Sequence, residues 1–248
     1  MVVLGLCAQT SPVFEVASIK PEPWTGSGGV YVVVRGNTLN AEHSCLKDLV
    51  SFAWRLEDFQ LSGGPAWAEH GRLDQSDLYQ VIAKAPGDTA PPEGQFRLML
   101  QALLADRFHL QVHHVQKEVP VYWLVVAQGG PKLVEGGPKL VESAPDAKFS
   151  MAIYSGRGSE PTRMRATHVS IDKLLWQLGH YAGRPVLDRT GLTGFYDFDV
   201  EWSPNSLTAD AEGPSVFAAL QKFGLKLEGG KASFDTVVID RAEKPSEN

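Results

Sequence analysis

The sequence predicts an α+β fold of two related repeats, each a mostly antiparallel sheet with two helices packed on one face. Three observations carry that expectation. "NAEHSCLKDLVSFA" can be laid over "RATHVSIDKLLWQLG" at a constant offset of 125, with Ala41 on Ala166, His43 on His168, Leu46 on Ile171, Leu49 on Leu174 and Val50 on Leu175. In both segments the apolar residues recur at i, i+3, i+4 and i+7, the single buried stripe of an amphipathic helix. Each half then closes on a continuous apolar run, "VYWLVVA" or "TVVID", as a strand covered on both faces would.

Taken in chain order, "MVVLGLCAQT" opens with an apolar stretch that resembles the tail of an export signal, so residues 1–10 are assigned to a signal-peptide remnant and export is expected. An ordinary hydrophobic N-terminal strand fits the same residues. The first repeat spans 11–128 and the second 147–248. Ser44 and Ser170 are the expected starts of the first helix in each, because a hydroxyl there can accept from the free amides of the opening turn. "QLSGGPAW" falls on "PVLDRTGL", a short strand entering a glycine turn, and after eight extra residues in the first half "YQVIAKA" matches "YDFDVEW". A second amphipathic helix follows in each half, "GQFRLMLQALLADRF" and "PSVFAALQKF", leading into the strands "FHLQV" and "FGLKL". Between the repeats, residues 129–146 contain "GGPKLVE" written twice, whose Gly-Gly-Pro breaks rule out a continuous helix or central strand and indicate a surface linker.

The composition excludes several function classes. Lys and Arg number 23 against 29 Asp and Glu, a net charge of −6, and no basic stripe with interleaved aromatics is present. Nucleic acid and anionic membrane are therefore poor partners. No segment approaches the roughly 18 apolar residues of a membrane helix. Cys7 and Cys45 are the only cysteines, which implies no disulfide framework. There is no G-x-S-x-G elbow, H-E-x-x-H or C-x-x-C motif, and no glycine loop with the spacing of a nucleotide fingerprint.

Two clusters remain as candidate chemistry. In "GFYDFDVEW", Asp197, Asp199 and Glu201 alternate with apolar residues, so a strand there has one wholly acidic face. Water can solvate that face, or the carboxylates can hold a hard cation such as Ca²⁺, with Asp188 in the preceding turn as a further donor and candidate catalytic group. Residues two apart on a flat strand lie roughly 7 Å from one another, so one ion does not easily reach all three. The second cluster is "FHLQVHH", where His109 and His113 share a strand face as candidate general bases or as polar surface. His43 and His168 occupy matching positions before the two helices, where they either face one another or bond to their own helix starts.

"FEVASIKP", "DFQLSGGPAW", "RLMLQALLADRFHL", "VYWLVVAQGGPKL", "GRPVLDRTGLTGFYDF" and "VVIDRAEKPSEN" together resemble a soil-associated, mostly exported protein family abundant in acidobacteria, over nearly the whole chain. The family's repeated unit is similar to the short N-terminal modules of secretins and TonB receptors, which implies ligand or peptide binding without catalysis. The resemblance also extends to a metagenome-derived, calcium-dependent N-acyl-homoserine lactone lactonase, which implies metal-assisted opening of an acyl lactone ring. On that implication Asp197, Asp199 and Glu201 would hold Ca²⁺ and His109 or His113 would activate water, with the acyl chain in an apolar groove between the halves. The family supplies no catalytic motif to carry over, and the doubled linker departs from its single copy.

Overall fold

The computed structural model describes residues 12–25, 29–69, 77–127, 141–155, 160–203 and 215–245. The signal-peptide reading of 1–10 and most of the doubled "GGPKLVE" lie outside them. The fold is α+β, as expected, with four α-helices and mostly antiparallel sheets among the described residues.

The chain separates into two compact units, the first containing the stretch up to Lys117 together with Phe234 onward, the second containing Glu118–Ser233. In unit 1, β1 (Val16–Pro21), β2 (Tyr31–Arg35) and β3 (Thr38–Ser44) precede α1 (Leu46–Trp54) and β4 (Leu61–Gly63). Then come β5 (Tyr79–Lys84), α2 (Glu93–Arg107) and the first part of β6 (Gln111–Val126). The main sheet has the order β1-β5-β3-β2, antiparallel throughout. Its inner face carries Leu39, Ala41, Val81 and Ala83, all inaccessible to solvent, against Leu46, Leu49, Phe96, Leu100 and Leu104 of the helices. At roughly 25 cal/mol per Å² of apolar surface removed from water, this packing dominates the stability of the unit.

Unit 2 contains β7 (Val141–Glu142), β8 (Ser150–Tyr154), β9 (Thr162–Ser170), α3 (Ile171–Ala182), β10 (Val186–Asp188), β11 (Phe195–Trp202) and α4 (Val216–Gln221). The order β7-β11-β9-β8 is again antiparallel, over a core of Met164, Leu174, Leu178, Trp202 and Leu225. The final strand, β12 (Leu225–Arg241), leaves unit 2 and completes unit 1.

This last feature changes the division expected from the sequence. The boundaries 11–128 and 147–248 follow chain order, whereas the compact units do not. "FHLQV" and "VYWLVVA" merge into the single strand β6, and "FGLKL" and "TVVID" into β12. Each long strand serves both units. Tyr122–Leu124 of β6 pair in parallel with Val186–Asp188 of β10, and Leu124 is fully buried in the core of unit 2. Val237–Ile239 of β12 pair in parallel with Leu61–Gly63 of β4, and Val237 and Ile239 are buried in the core of unit 1. The closing strand of each half of the sequence thus completes the unit built mainly by the other half.

The helix starts are half as expected. Ser170 is the N-cap of α3 by position, but its hydroxyl makes no capping hydrogen bond. In the first half the N-cap is Cys45, not Ser44, and the Cys45 amide donates to Asp48 Oδ2 at 2.8 Å in a capping box. Ser44 ends β3, where its hydroxyl donates to the carbonyls of Tyr31 and Glu42. "NAEHS" is strand because Leu39 and Ala41 follow a period of two, which pattern matching to the helix stripe overlooked. Burial pushes the Cys45 thiol up to about 12, so it stays protonated and inert at neutral pH.

Candidate functional site

The acidic strand β11 lies beside β9, and the register places Asp199 opposite Arg165 and Glu201 opposite Arg163. Asp199 is clamped: Arg163 Nε donates to Oδ1 at 2.7 Å, Arg165 Nε donates to Oδ2 at 3.1 Å, and a second Arg163 nitrogen also donates to Oδ2. Those hydrogen bonds, Arg163 foremost, hold the Asp199 carboxyl below its ordinary range, with burial opposing them. Glu201 Oε1 lies 3.4 Å from Arg163. This is a cross-strand charge ladder, the sheet counterpart of helical ion pairs.

Asp197 has a different task. A register shift interrupts the β9–β11 ladder at Tyr196/Phe198, and in the bulge His168 takes a left-handed conformation with φ 54°. The His168 amide, turned out of the ladder, donates to Asp197 Oδ1 at 2.8 Å and to Ser143 Oγ at 3.1 Å. The Ser143 hydroxyl donates to the same carboxylate. The imidazole stacks on Phe195 at 4.2 Å between centroids and 4° between planes, with Nδ1 buried and without a hydrogen-bond partner.

Unit 1 repeats the device. A register shift between Ala41 and Ser44 accompanies His43 at φ 45°, whose amide donates to Glu22 Oε2 at 2.8 Å. The ring meets Trp24 edge-on at 5.1 Å, and its Nδ1 is likewise buried and unpartnered. Each histidine is therefore a bulge residue of its own unit, three residues before the first residue of its helix.

The three carboxylates proposed for Ca²⁺ are thus distributed over an arginine clamp, a weaker pairing and a bulge. Asp188 ends β10 in an Asx turn, its Oδ1 accepting from the amide and hydroxyl of Thr190 at 2.8 and 2.7 Å. Among the described residues no group of three or more His, Cys, Asp and Glu side chains converges as metal ligands would.

The histidines after α2 also divide by role. His109 is not in a strand: it follows the helix in a left-handed turn with φ 48°, and Nδ1 is 3.6 Å from Glu243 Oε2. His113 on β6 has Nδ1 at 2.8 and 2.9 Å from the two oxygens of Asp240 on β12, and His114 Nδ1 is 2.7 Å from Asp235 Oδ2. A carboxylate on Nδ1 fixes the tautomer and leaves Nε2 to accept a proton. Asp240 and Asp235 were not distinguishable in the sequence, because they reach β6 only through the pairing of β6 with β12.

The described residues also form an apolar groove within unit 2, between β8 and α3, with a volume of about 390 Å³. Phe149, Met151 and Trp176 line it, with Asp172 and Lys173 at the rim. Phe149 and Trp176 are 54% and 57% exposed, and Lys173 Nζ stands 4.7 Å over the Phe149 ring. One feature of the sequence marks it: Trp176 lies off the Leu174, Leu175 and Leu178 stripe that faces the core. A smaller cavity of about 220 Å³ adjoins the arginine clamp, lined by Arg163, Asp199, Glu201, Lys222 and Phe223.

No described helix is long and apolar enough to cross a membrane. No curated protein and no solved structure matches the chain. A family model described as protein of unknown function (DUF3738) does match, over residues 47–242, which takes in all of unit 2, both exchanged strands and the part of unit 1 from α1 onward, but not β1, β2 and β3. The chain belongs to the DUF3738 family.

Proposed function

We propose that the protein is an exported capture module for an amphipathic small molecule, whose apolar tail lies against Phe149, Met151 and Trp176 and whose polar head meets Asp172 and Lys173. The observation that carries this reading is the groove in unit 2, whose 390 Å³ falls in the range of small-ligand sites and whose lining is apolar with few polar groups. N-acyl-homoserine lactones have that division into tail and head. Export is part of the same proposal and is supported by the apolar N-terminal stretch. We also infer that the two units descend from one copied unit, a reading supported by the paired bulges at His43 and His168 and by the equivalent parallel registers of β4 with β12 and β10 with β6.

Titrating the protein with N-acyl-homoserine lactones of increasing chain length, followed by tryptophan fluorescence and calorimetry, tests the capture reading. Each methylene buried is worth about 0.8 kcal/mol, so affinity is expected to rise about fourfold per carbon until the groove is filled. Trp176→Ala is expected to abolish most of that dependence. Affinity independent of chain length, or unchanged in Trp176→Ala, would overturn the reading.

A second reading, hydrolysis of the lactone ring, is favoured by one observation: Asp240 engages Nδ1 of His113, the orientation in which Nε2 can take a proton from water. Lactone turnover by the wild type that falls at least a hundredfold in both His113→Ala and Asp240→Asn would support it. Turnover that persists in both variants, or is absent from the wild type, would remove His113 from any catalytic role. Adding EDTA in parallel separates this proton-transfer chemistry from the calcium-assisted form, in which Asp197, Asp199 and Glu201 would hold the ion.

A further inference from the structure

We propose that β8 pairs edge to edge with β8 of a second copy of this chain, joining two unit 2 sheets into one and closing the open side of the groove.

An outer strand presents unpaired amides and carbonyls, and sheets normally guard such edges with charge, proline or brevity. Among the described strands the edges follow that rule with one exception. β1 carries Lys20 and Pro21, and β2 ends in Arg35. β7 has two residues, while β4 and β10 have three each. β8, Ser150-Met151-Ala152-Ile153-Tyr154, has five residues with no charge and no proline. Its only neighbour among the described residues is β9.

Apolar surface gathers at the same edge. Phe149, Tyr154 and Trp176 are 54%, 61% and 57% exposed. A two-fold axis through Ala152 pairs all five residues antiparallel. It sets the small Ala152 against itself, Met151 of each copy opposite Ile153 of the other, and Ser150 opposite Tyr154. Met151 and Ile153 are on the inner face, packed against the core of unit 2, so the added strand extends the wall of the groove. The rim is self-complementary as well: Asp172 and Lys173 are adjacent, and neither has an ion-pair partner among the described residues within 4.0 Å. Opposite charges side by side at the edge suit an isologous contact, in which residue i meets j and j meets i. A peptide from another protein has no such reason to match.

The pairing does not depend on the capture reading, but its effect on ligand does. Sedimentation equilibrium on the full chain from about 1 μM to 1 mM covers the range in which a modest interface dissociates. A monomer–dimer equilibrium is expected, shifted to monomer by Ala152→Lys. A wild type that stays monomeric to 1 mM, or a dimer unaffected by Ala152→Lys, overturns the proposal. Register is read by oxidation in a Cys7→Ser background. Ala152→Cys brings two thiols within disulfide reach and is expected to give a covalent dimer, whereas Ser150→Cys faces Tyr154 and is not. Equal cross-linking of both, or of neither, overturns the two-fold at Ala152 even if one variant folds poorly. A dimer that forms normally while lactone titration gives no signal would leave the pairing standing and remove the capture reading.

Discussion

His43 in unit 1 and His168 in unit 2 hold the same backbone conformation at the same point, the last turn of a strand before a helix. Both amides donate to a carboxylate at 2.8 Å, yet Glu22 belongs to the segment after β1 while Asp197 lies within β11. The surroundings differ further. Thr38 opposite Lys84 and Asn40 opposite Ile82 in unit 1 occupy the registers of Arg163 opposite Glu201 and Arg165 opposite Asp199 in unit 2. Ser51 stands where unit 2 has Trp176, at the offset of 125. What the units share is backbone geometry, and what separates them is surface chemistry. The charge ladder and the groove both belong to unit 2, while the histidine–carboxylate pairs on β6 and β12 belong to unit 1. A requirement common to both units is therefore structural, and a feature present in one is where specific function is to be sought.

The exchange of closing strands gives the comparison its sharpest test. Leu124 belongs by sequence to the first half and by packing to unit 2. Leu124→Ala is expected to destabilise the protein by about 2–5 kcal/mol, the usual range for a buried leucine that leaves a cavity. Hydrogen exchange should place the lost protection in residues 162–202, with α2 largely unaffected. Loss centred on α2 instead would mean that the first half of the sequence keeps its own closing strand.

The glycine turns after β4 and β10 are next in magnitude. Gly63 and Gly191 have φ of 75° and 70°, so any other residue meets left-handed strain in both, on the order of 1–2 kcal/mol. Their space differs. A Cβ on Gly63 would lie 2.6 Å from the Ile239 carbonyl oxygen, whereas one on Gly191 meets nothing within 4 Å. Gly63→Ala must therefore displace β12 as well, and its melting temperature should fall well below that of Gly191→Ala. Equal losses would show that β12 has room to move.

How much of this was legible follows from what kind of contact each feature needs. The helix bodies and the glycine turns depend on local periodicity and turn residues and were legible, whereas β3 and β9 were read as parts of the helices that follow them. The α+β class was legible for the same reason. The strand exchange was not, because "VYWLVVA" reads as a buried strand whichever unit buries it. Asp197, Asp199 and Glu201 were legible as an acidic face but not as a clamp and a bulge partner. Their partners Arg163, Arg165 and the His168 amide are on β9, and only register brings them opposite. Trp176 was visible as an aromatic residue off its helix stripe, yet the groove it lines also needs Phe149 and Met151 from a strand some twenty-five residues earlier.

His109 allows a smaller test of the shared backbone. The turn after α2 reads Phe108-His109-Leu110, and the turn after α4 reads Phe223-Gly224-Leu225, with φ of 48° at His109 and 72° at Gly224. Unit 2 thus has the residue that favours this conformation where unit 1 has one that resists it. His109→Gly is expected to leave stability unchanged or raise it by up to about 1 kcal/mol, measured by urea denaturation. A loss above that size would mean that the contact of His109 with Glu243 outweighs the strain.

The smallest expected effect separates the units by pH. Asp199 titrates below its ordinary value because Arg163 and Arg165 donate to its charged form. A carboxyl depressed on folding contributes stability that is present above its unfolded pKa and disappears as pH falls through the folded one. The contribution of the clamp is therefore full at neutral pH, begins to fall below about pH 4, the ordinary carboxylate range, and is gone once Asp199 is protonated in both states. Asp199→Asn should lower the melting temperature slightly at pH 7, as exposed ion pairs do, and the difference from wild type should shrink toward zero in stronger acid. Added salt should reduce it at pH 7 as well. No counterpart is expected at Ile82, which holds the matching register in unit 1 without a charge. A deficit in Asp199→Asn that persists unchanged into strong acid would mean that residue 199 acts through packing, and the ladder would cease to distinguish the two units.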